Sequence, residues 1–351
     1  MTRLRFVSTE KLLIAGPCSA EGRDMLMSAA ARLTDYPDVF FRAGLWKPRT
    51  RPSAFEGVGK AGLAWLTEVR STFGLRVCTE VASAEHVDLC LQNNIDALWI
   101  GARTSGNPFS MQEIADALSG TDMPIFVKNP LNPDLKLWIG AIERLQKSNC
   151  KNVYAIHRGF SLADNGIYRQ SPLWQIPIEL RRLMPELKVL CDPSHIAGKR
   201  ELVFELAQTA MNLCFDGLMV ETHPCPQQAK TDAEQQLTPD ELHSMIEKLN
   251  ITCEEDQEQT DLELLREEID KIDTEIIGLL EKRMEVSQRV SYIKKQKNMS
   301  ALQLNRWNKL LKERMQQAEK KGLAAEFVKD IFEQIHKESL FVQNEMLKKN
   351  E

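Results

Sequence analysis

Two hydrophobic periods divide the chain. Up to about residue 250, short apolar runs rich in β-branched residues alternate with stretches of helical spacing. The runs are 12–16, 39–44, 76–81, 97–102, 124–129, 153–159, 188–192 and 217–222. Their starts lie 27, 37, 21, 27, 29, 35 and 29 residues apart, the size of one strand–helix unit. Eight such units in sequence predict an α/β architecture, a (β/α)8 TIM barrel. An open doubly wound sheet is the alternative, but it gathers its polar residues at one switch point. Here polar residues stand at the C-terminal ends of nearly all eight runs, which favours the barrel.

Past Cys253 the strand period stops. Residues 254–261 are acidic and free of apolar side chains, as an exposed linker is. Beyond them Leu262, Leu265, Ile269, Ile272, Ile276, Leu279, Leu280, Met284, Val290 and Ile293 recur at helical spacing. Asn298 and Ser300 interrupt this pattern. A second helix is predicted from about Leu302 to Lys320, with Gly322 as its terminator, and a third from about Ala324 to Lys348. Three helices, the first unusually long, bury such a stripe most readily as a dimer of long helices. The expected organisation is therefore a barrel over 1–250, a linker over 251–261 and an all-α three-helix domain over 262–351. A coiled-coil dimerisation tail is the plainer reading of the last part.

Composition narrows the function. A formal net charge of −5 opposes a nucleic-acid surface. No apolar run approaches membrane-spanning length, and the N-terminal residues lack the apolar core of a signal peptide, which points to the cytoplasm. The eight cysteines contain no C-x-x-C pair and read as buried thiols plus one candidate ligand. Only about ten residues precede the first predicted strand, so no large N-terminal regulatory domain is expected.

The chemistry lies at the strand ends. The first run delivers Cys18, the seventh ends in Asp192-Pro193-Ser194-His195, the eighth in Glu221-Thr222-His223, and Asp232 follows in the next loop. Cys, His, Glu and Asp side chains converging on one barrel mouth form a donor set suited to a divalent metal of borderline preference. Cations crowd the other ends. Arg42 closes the second run and leads to Lys47-Pro48-Arg49-Thr50-Arg51; Arg103, Lys128 and Arg158 follow the fourth, fifth and sixth. So many positive charges repel one another unless anions sit between them, and guanidinium forks suit phosphate and carboxylate oxygens. In the helical part, Arg283 and Lys294 are eleven residues apart and lie within about 20° of one helix face. Arg266, seventeen residues before Arg283, lies about 25 Å away on a different face and could serve only a partner chain's ligand.

Together, Gly16-Pro17-Cys18-Ser19-Ala20-Glu21, Lys47-Pro48-Arg49-Thr50, Ile100-Gly101-Ala102-Arg103, Asp192-Pro193-Ser194-His195 and Val220-Glu221-Thr222-His223-Pro224 resemble the type I beta 3-deoxy-D-arabino-heptulosonate 7-phosphate (DAHP) synthases. The resemblance spans about residues 10–245. It implies condensation of phosphoenolpyruvate with erythrose 4-phosphate at a divalent metal, manganese being the leading candidate. By it, Cys18, His195, Glu221 and Asp232 bind the metal, Arg103, Lys128 and Arg158 (with Arg42) hold phosphoenolpyruvate, and Lys47, Arg49 and Thr50 hold erythrose 4-phosphate. Lys128 becomes a candidate proton donor. The sister synthase that uses arabinose 5-phosphate characteristically has asparagine after the strand-2 lysine, so Lys47-Pro48-Arg49-Thr50 favours the four-carbon sugar.

Residues 262–347 resemble the helical chorismate mutases, most strongly in Leu265-Arg266-Glu267-Glu268-Ile269-Asp270-Lys271-Ile272-Asp273 and Leu279-Leu280-Glu281-Lys282-Arg283. This implies an intertwined helical homodimer, or a higher oligomer built on it, that rearranges chorismate to prephenate. Arg266 from the partner and Arg283 would bind carboxylates, and Lys294 and Gln343 the breaking ether oxygen, with Arg306 and Ser339 nearby. Gln303 and Trp307 depart from the family pattern, which has an acidic pair there. A helical domain that doubles as a prephenate sensor restraining the synthase is the expected form of control.

Overall fold

A computed structural model describes residues 11–36, 38–48, 54–251, 260–297 and 303–348. Arg49, Thr50 and Arg51 lie outside the described residues, as does most of the acidic stretch, 252–259. The chain divides into two compact units, Met1–Glu254 and Glu255–Glu351.

In the first unit eight parallel strands close on themselves in chain order. They are β1 (Leu12–Gly16), β2 (Phe40–Arg42), β3 (Arg76–Val81), β4 (Ala97–Ile100), β5 (Ile125–Lys128), β6 (Val153–His157), β7 (Val189–Cys191) and β8 (Gly217–Glu221). The helices up to the middle of the unit are α1 (Arg23–Ala31), α2 (Ala61–Phe73), α3 (Ala84–Gln92), α4 (Ala102–Ser105), α5 (Pro108–Ala117) and α6 (Leu135–Lys147). After them come α7 (Gln175–Leu183), α8 (Pro193–Ala197), α9 (Val203–Asn212) and α10 (Pro239–Lys248). Local chemistry explains several starts. Ser83, Asn107 and Asp134 accept backbone N–H bonds at the N-termini of α3, α5 and α6, and Thr238 forms a capping box with Glu241 on α10.

Parallel strands covered on both sides read as continuous apolar runs, and each predicted run holds one strand. Most strands are shorter at their C-terminal ends than the runs. The run 97–102 breaks at Gly101, from which Ala102–Ser105 turns into α4, so Arg103 projects from a helical turn. Inside the barrel Ile14, Phe40, Cys78, Ala97, Trp99, Phe126, Ile156, Leu190 and Met219 fill the axis. A larger apolar layer joins the strands to the helices. Closure pairs Gly16 with Glu221, which brings the turn after β1 beside the end of β8.

The second unit comprises α11 (Thr260–Gln296), α12 (Leu304–Lys320) and α13 (Ala325–Lys348), with α13 packed on both others. Gly322 follows α12 at φ 74°, the left-handed conformation a helix terminator needs. The burial here is inverted. Among the described residues the buried positions are Ser287, Ser291, Ser339, Gln343 and Ala318, whereas Ile269, Ile272, Ile276, Leu279, Val286 and Ile293 are about half exposed. These exposed residues, with Arg283 and Val290, repeat at alternating spacings of three and four along one stripe of α11.

Candidate active sites

Cys18, Glu221 and Asp232 bring one ligand atom each within 4.8 Å of one another at the C-terminal end of the barrel. Cys18 follows β1, Glu221 ends β8, and Asp232 sits in the loop beyond. The Cys18 Sγ–H donates to Asp232 Oδ2 at 3.1 Å, and Gln236 Oε1 accepts the Cys18 backbone N–H. His195 is carried by α8, whose N-cap is Asp192; the Asp192 carboxylate accepts the His195 backbone N–H and also lies 2.8 Å from its Nδ1. That second contact turns Nε2 toward Glu221, at 3.6 Å. His195 thus stands at the edge of the three-residue group, oriented by a carboxylate as metal-binding histidines usually are.

Burial sets the charge states. It pushes the Cys18 thiol well up, helped by Glu221. It opposes ionisation of Asp232, but His195 and Arg169 overcome it and hold that carboxyl far below its ordinary value. Glu221 is likewise held down by His195 and Arg42 against its burial. Burial also keeps His195 neutral, the form that binds metal. A thiol and two carboxylates with a neutral imidazole beside them fit a divalent cation of borderline preference. Metal binding would itself deprotonate the thiol.

The cations converge on the same mouth. Arg42, fully buried, donates to Glu221 Oε1 at 3.0 Å and to the Cys18 carbonyl. Its Nε and Nη1 find no hydrogen-bond partner among the described residues, and such buried donors suit the oxygens of an anion. Lys128 Nζ donates to Asp192 Oδ2 at 2.7 Å. Its burial lowers its pKa and the Asp192 charge opposes that. The Arg158 backbone is fixed by Asn129, and its guanidinium donates to Gln170 Oε1. Burial pulls Arg158 down to about 10, Asp192 resisting and Arg169 and Arg103 adding to the fall. Arg103, on α4, is exposed and close enough to Arg158 for this effect. Lys47 lies 3.6 Å from Glu80, packed where Gly44 has no side chain; a Cβ there would meet its Cε at 2.5 Å.

Four residues of this mouth carried no signal that singles them out in the sequence. Trp99 lies buried beneath Arg42, Lys47 and Lys128, its ring centre 4.7, 5.9 and 6.0 Å from their charges. Glu80 is the counterion of Lys47, and Arg169 and Gln235 bond to the carboxylates clustered with Cys18.

In the helical unit Arg283 donates to Ser339 Oγ and lies 3.4 Å from the Ile335 carbonyl. Lys294 Nζ donates to Gln343 Oε1 at 3.2 Å, and Gln343 Nε2 donates to Ser287 Oγ at 3.0 Å. Arg283, Lys294, Ser339 and Gln343 are thereby gathered on facing sides of α11 and α13. Arg266 and Arg306 are exposed. Trp307 stacks on His336 at 3.9 Å with the rings 7° from parallel. His336 lies three and seven residues before Ser339 and Gln343, on the same helix face.

Residues 8–259 match the DAHP synthetase I family, and residues 265–344 match chorismate mutase type II. Over 237 residues the chain is 30% identical to a phospho-2-dehydro-3-deoxyheptonate aldolase of Thermotoga maritima, covering 68% of each chain. A 2-dehydro-3-deoxyphosphooctonate aldolase of Methylobacterium radiotolerans is 28% identical over 256 residues, 68% of this chain and 87% of that one. The crystal structure of the Thermotoga maritima DAHP synthase superposes with a TM-score of 0.61 at 28% identity, covering 68% of this chain and 67% of that one. A truncated form of 3-deoxy-D-arabino-heptulosonate 7-phosphate synthase from the same organism gives 0.58 at 26%, covering 68% and 84%. Barrel, clustered ligands and helical appendage thus agree with the family matches, and the chain belongs to the DAHP synthetase I family, with a chorismate mutase type II domain following its barrel.

Proposed function

We propose that the barrel condenses phosphoenolpyruvate with erythrose 4-phosphate and water to give DAHP and phosphate, and that the helical domain rearranges chorismate to prephenate. The first half rests on one observation: the Cys18, Glu221 and Asp232 cluster shares its barrel mouth with Arg42, Lys128 and Arg158. Cys18, His195, Glu221 and Asp232 would hold a divalent cation, manganese the leading candidate. When bound, that cation supplies Lewis acidity at the aldehyde oxygen. Arg42, Arg103, Lys128 and Arg158 hold the phosphate and carboxylate of phosphoenolpyruvate, so that its enol carbon faces the aldehyde. Lys47, Arg49 and Thr50 hold the sugar phosphate. Lys128 has a burial-lowered pKa and a proton shared with Asp192, which suit it to deliver a proton to the new hydroxyl.

For the helical domain, a pericyclic rearrangement needs no nucleophile, only a preorganised cationic pocket. Arg283 binds a carboxylate, and Lys294 and Gln343, already within hydrogen-bond distance of each other, take the ether oxygen. Arg306 and Ser339 border the substrate. Arg266 belongs to the pocket of a second copy of the chain. The half-exposed apolar stripe on α11 supports a homodimer joined through the helices, and a higher oligomer built on that dimer belongs to the same proposal. We assign the chain to the cytoplasm and the boundaries 1–250, 251–261 and 262–351 to barrel, linker and helical domain. Prephenate bound in the helical pocket restrains the barrel in this reading.

Three assays on the intact chain test it. Phosphoenolpyruvate offered with erythrose 4-phosphate or arabinose 5-phosphate should turn over faster with the four-carbon sugar; the reverse preference would assign the barrel to the octonate branch of its relatives. Chorismate should be converted to prephenate. Saturating prephenate should slow the synthase, and unchanged kinetics would remove the feedback claim.

A further inference from the structure

Asp232 enters the ligand cluster with φ 49°, in the left-handed region that non-glycine residues seldom adopt, aspartate being among the more tolerant. The Arg169 guanidinium fixes its carboxylate. Arg169 Nη1 donates to Asp232 Oδ1 at 2.8 Å, leaving Oδ2 to face Cys18. The same nitrogen donates to Gln235 Oε1 at 2.6 Å, and Gln235 Nε2 donates to Glu221 Oε2 at 2.7 Å. One guanidinium therefore governs two of the three clustered groups, the first directly and the second through a glutamine.

The loop that carries Arg169 is tied to the His195 helix. The Arg169 N–H donates to the Ala197 carbonyl and the Gln170 N–H to the Ile196 carbonyl, both at 3.2 Å. Gly198, at φ 71°, leaves the room: a Cβ there would lie 2.4 Å from Arg169 Cβ. On its other side Arg169 lines an open cavity of about 410 Å³, together with Ile167, Tyr168, Lys199 and Glu234. Asp232 and Gln235 line the same cavity.

We propose that Arg169 is a positioning residue for the metal. By occupying Oδ1 it limits Asp232 to presenting Oδ2, and it aligns Glu221 through Gln235. The inference rests on the metal site proposed above. Two physical effects of Arg169 have opposite sign, which makes the claim testable. Its charge repels a cation, so a purely Coulombic role makes its removal strengthen metal binding. Its hydrogen bonds preorganise the donors, so a positioning role makes removal weaken binding.

The test is Co²⁺ titration of the metal-free full-length chain, reading affinity together with the thiolate-to-cobalt charge-transfer band that reports Cys18. R169Q should bind Co²⁺ about 10–100-fold more weakly, with a diminished or shifted band. R169K keeps the charge but not the planar fork, and should recover only part of the affinity. Unchanged melting of the metal-free variants separates this from loss of fold. The Arg169 side chain is 45% exposed, so its truncation leaves no sealed void. Should R169Q nevertheless unfold, R169K against the unaltered chain makes the same comparison. Equal or tighter binding with an unaltered band overturns the proposal. An unaltered chain that binds Co²⁺ with no charge-transfer band overturns the metal-site assignment, and this inference with it.

Discussion

Both halves of the molecule gather cations, but they stabilise them differently. In the barrel three buried cations meet a carboxylate already in place: Arg42 with Glu221, Lys128 with Asp192, Lys47 with Glu80. Arg42 and Glu221 are both wholly removed from water. Ion pairs so placed are costly to desolvate, and replacing both members by apolar groups is often neutral or better. Their presence marks a preorganised site rather than a stability device. In the helical unit the cations meet neutral groups, Arg283 with Ser339 and Lys294 with Gln343, on helices whose apolar stripe remains half exposed. In the proposal above, the second site draws charge from substrate and surface from another copy.

The largest expected effects separate the two activities. Removing divalent metal with a chelator should abolish the synthase, by about 10³-fold or more, while prephenate formation followed in the same sample persists. Arg283→Ala should cost prephenate formation about 10²–10³-fold with the synthase unchanged, and Lys128→Met should do the opposite. A chelated enzyme that keeps condensing, or an Arg283 variant that keeps rearranging chorismate, breaks the comparison at its root.

A smaller effect tests self-sufficiency. Ile276→Glu on the exposed stripe should dissociate the helical domains and reduce prephenate formation by about 10-fold or more, with synthase turnover retained; sedimentation checks the assembly. An unchanged oligomeric state would remove the stripe as the joining surface. Arg42→Ala should destabilise the barrel by about 3–5 kcal/mol, since it strands the buried Glu221 charge, and Arg42→Met should cost less. Thermal melting of the intact chain measures both.

A pH effect of similar size belongs to the barrel alone. Burial among Phe160, Trp174 and Phe215 pulls His157 down to about 3. Below its ordinary value near 6.5 the unfolded chain takes up a proton that the folded chain refuses. Stability is therefore full above that value and falls as pH drops toward 3, by about 1.4 kcal/mol per unit at most. His157→Gln should flatten the slope of melting temperature against pH over that window. The smallest effect expected is at Trp307. Trp307→Phe keeps an aromatic face for His336 and should alter mutase kinetics by no more than about threefold, the value of half a stacked pair or less.

How much of this was legible in the sequence differs between the halves for physical reasons. The strands announced themselves because both faces of each are buried, which forces continuous apolar runs at the period of one strand–helix unit. The ligands and cations were legible because barrel geometry puts every strand end at one mouth. Their partners were not. Glu80 and Asp192 as counterions, Trp99 turned inward beneath three cations, and Arg169 reaching from the loop after β6 to the loop after β8 are contacts between distant segments. No local pattern shows which of them meet. Ser287 and Ser291 show the same limit in the helices: nothing in the local pattern marks them, and both are buried against Gln343 or its backbone.

By itself, then, the sequence determined the two periods, the number and order of strands and helices, and which residue types crowd the strand ends, because periodicity and residue type are local properties. Tertiary structure alone decided which charges neutralise one another, where burial moves a proton affinity, and that Arg169 holds Asp232. Those depend on closure of the barrel, which sets Gly16 against Glu221 and brings residues 214 positions apart, Cys18 and Asp232, into hydrogen-bond contact.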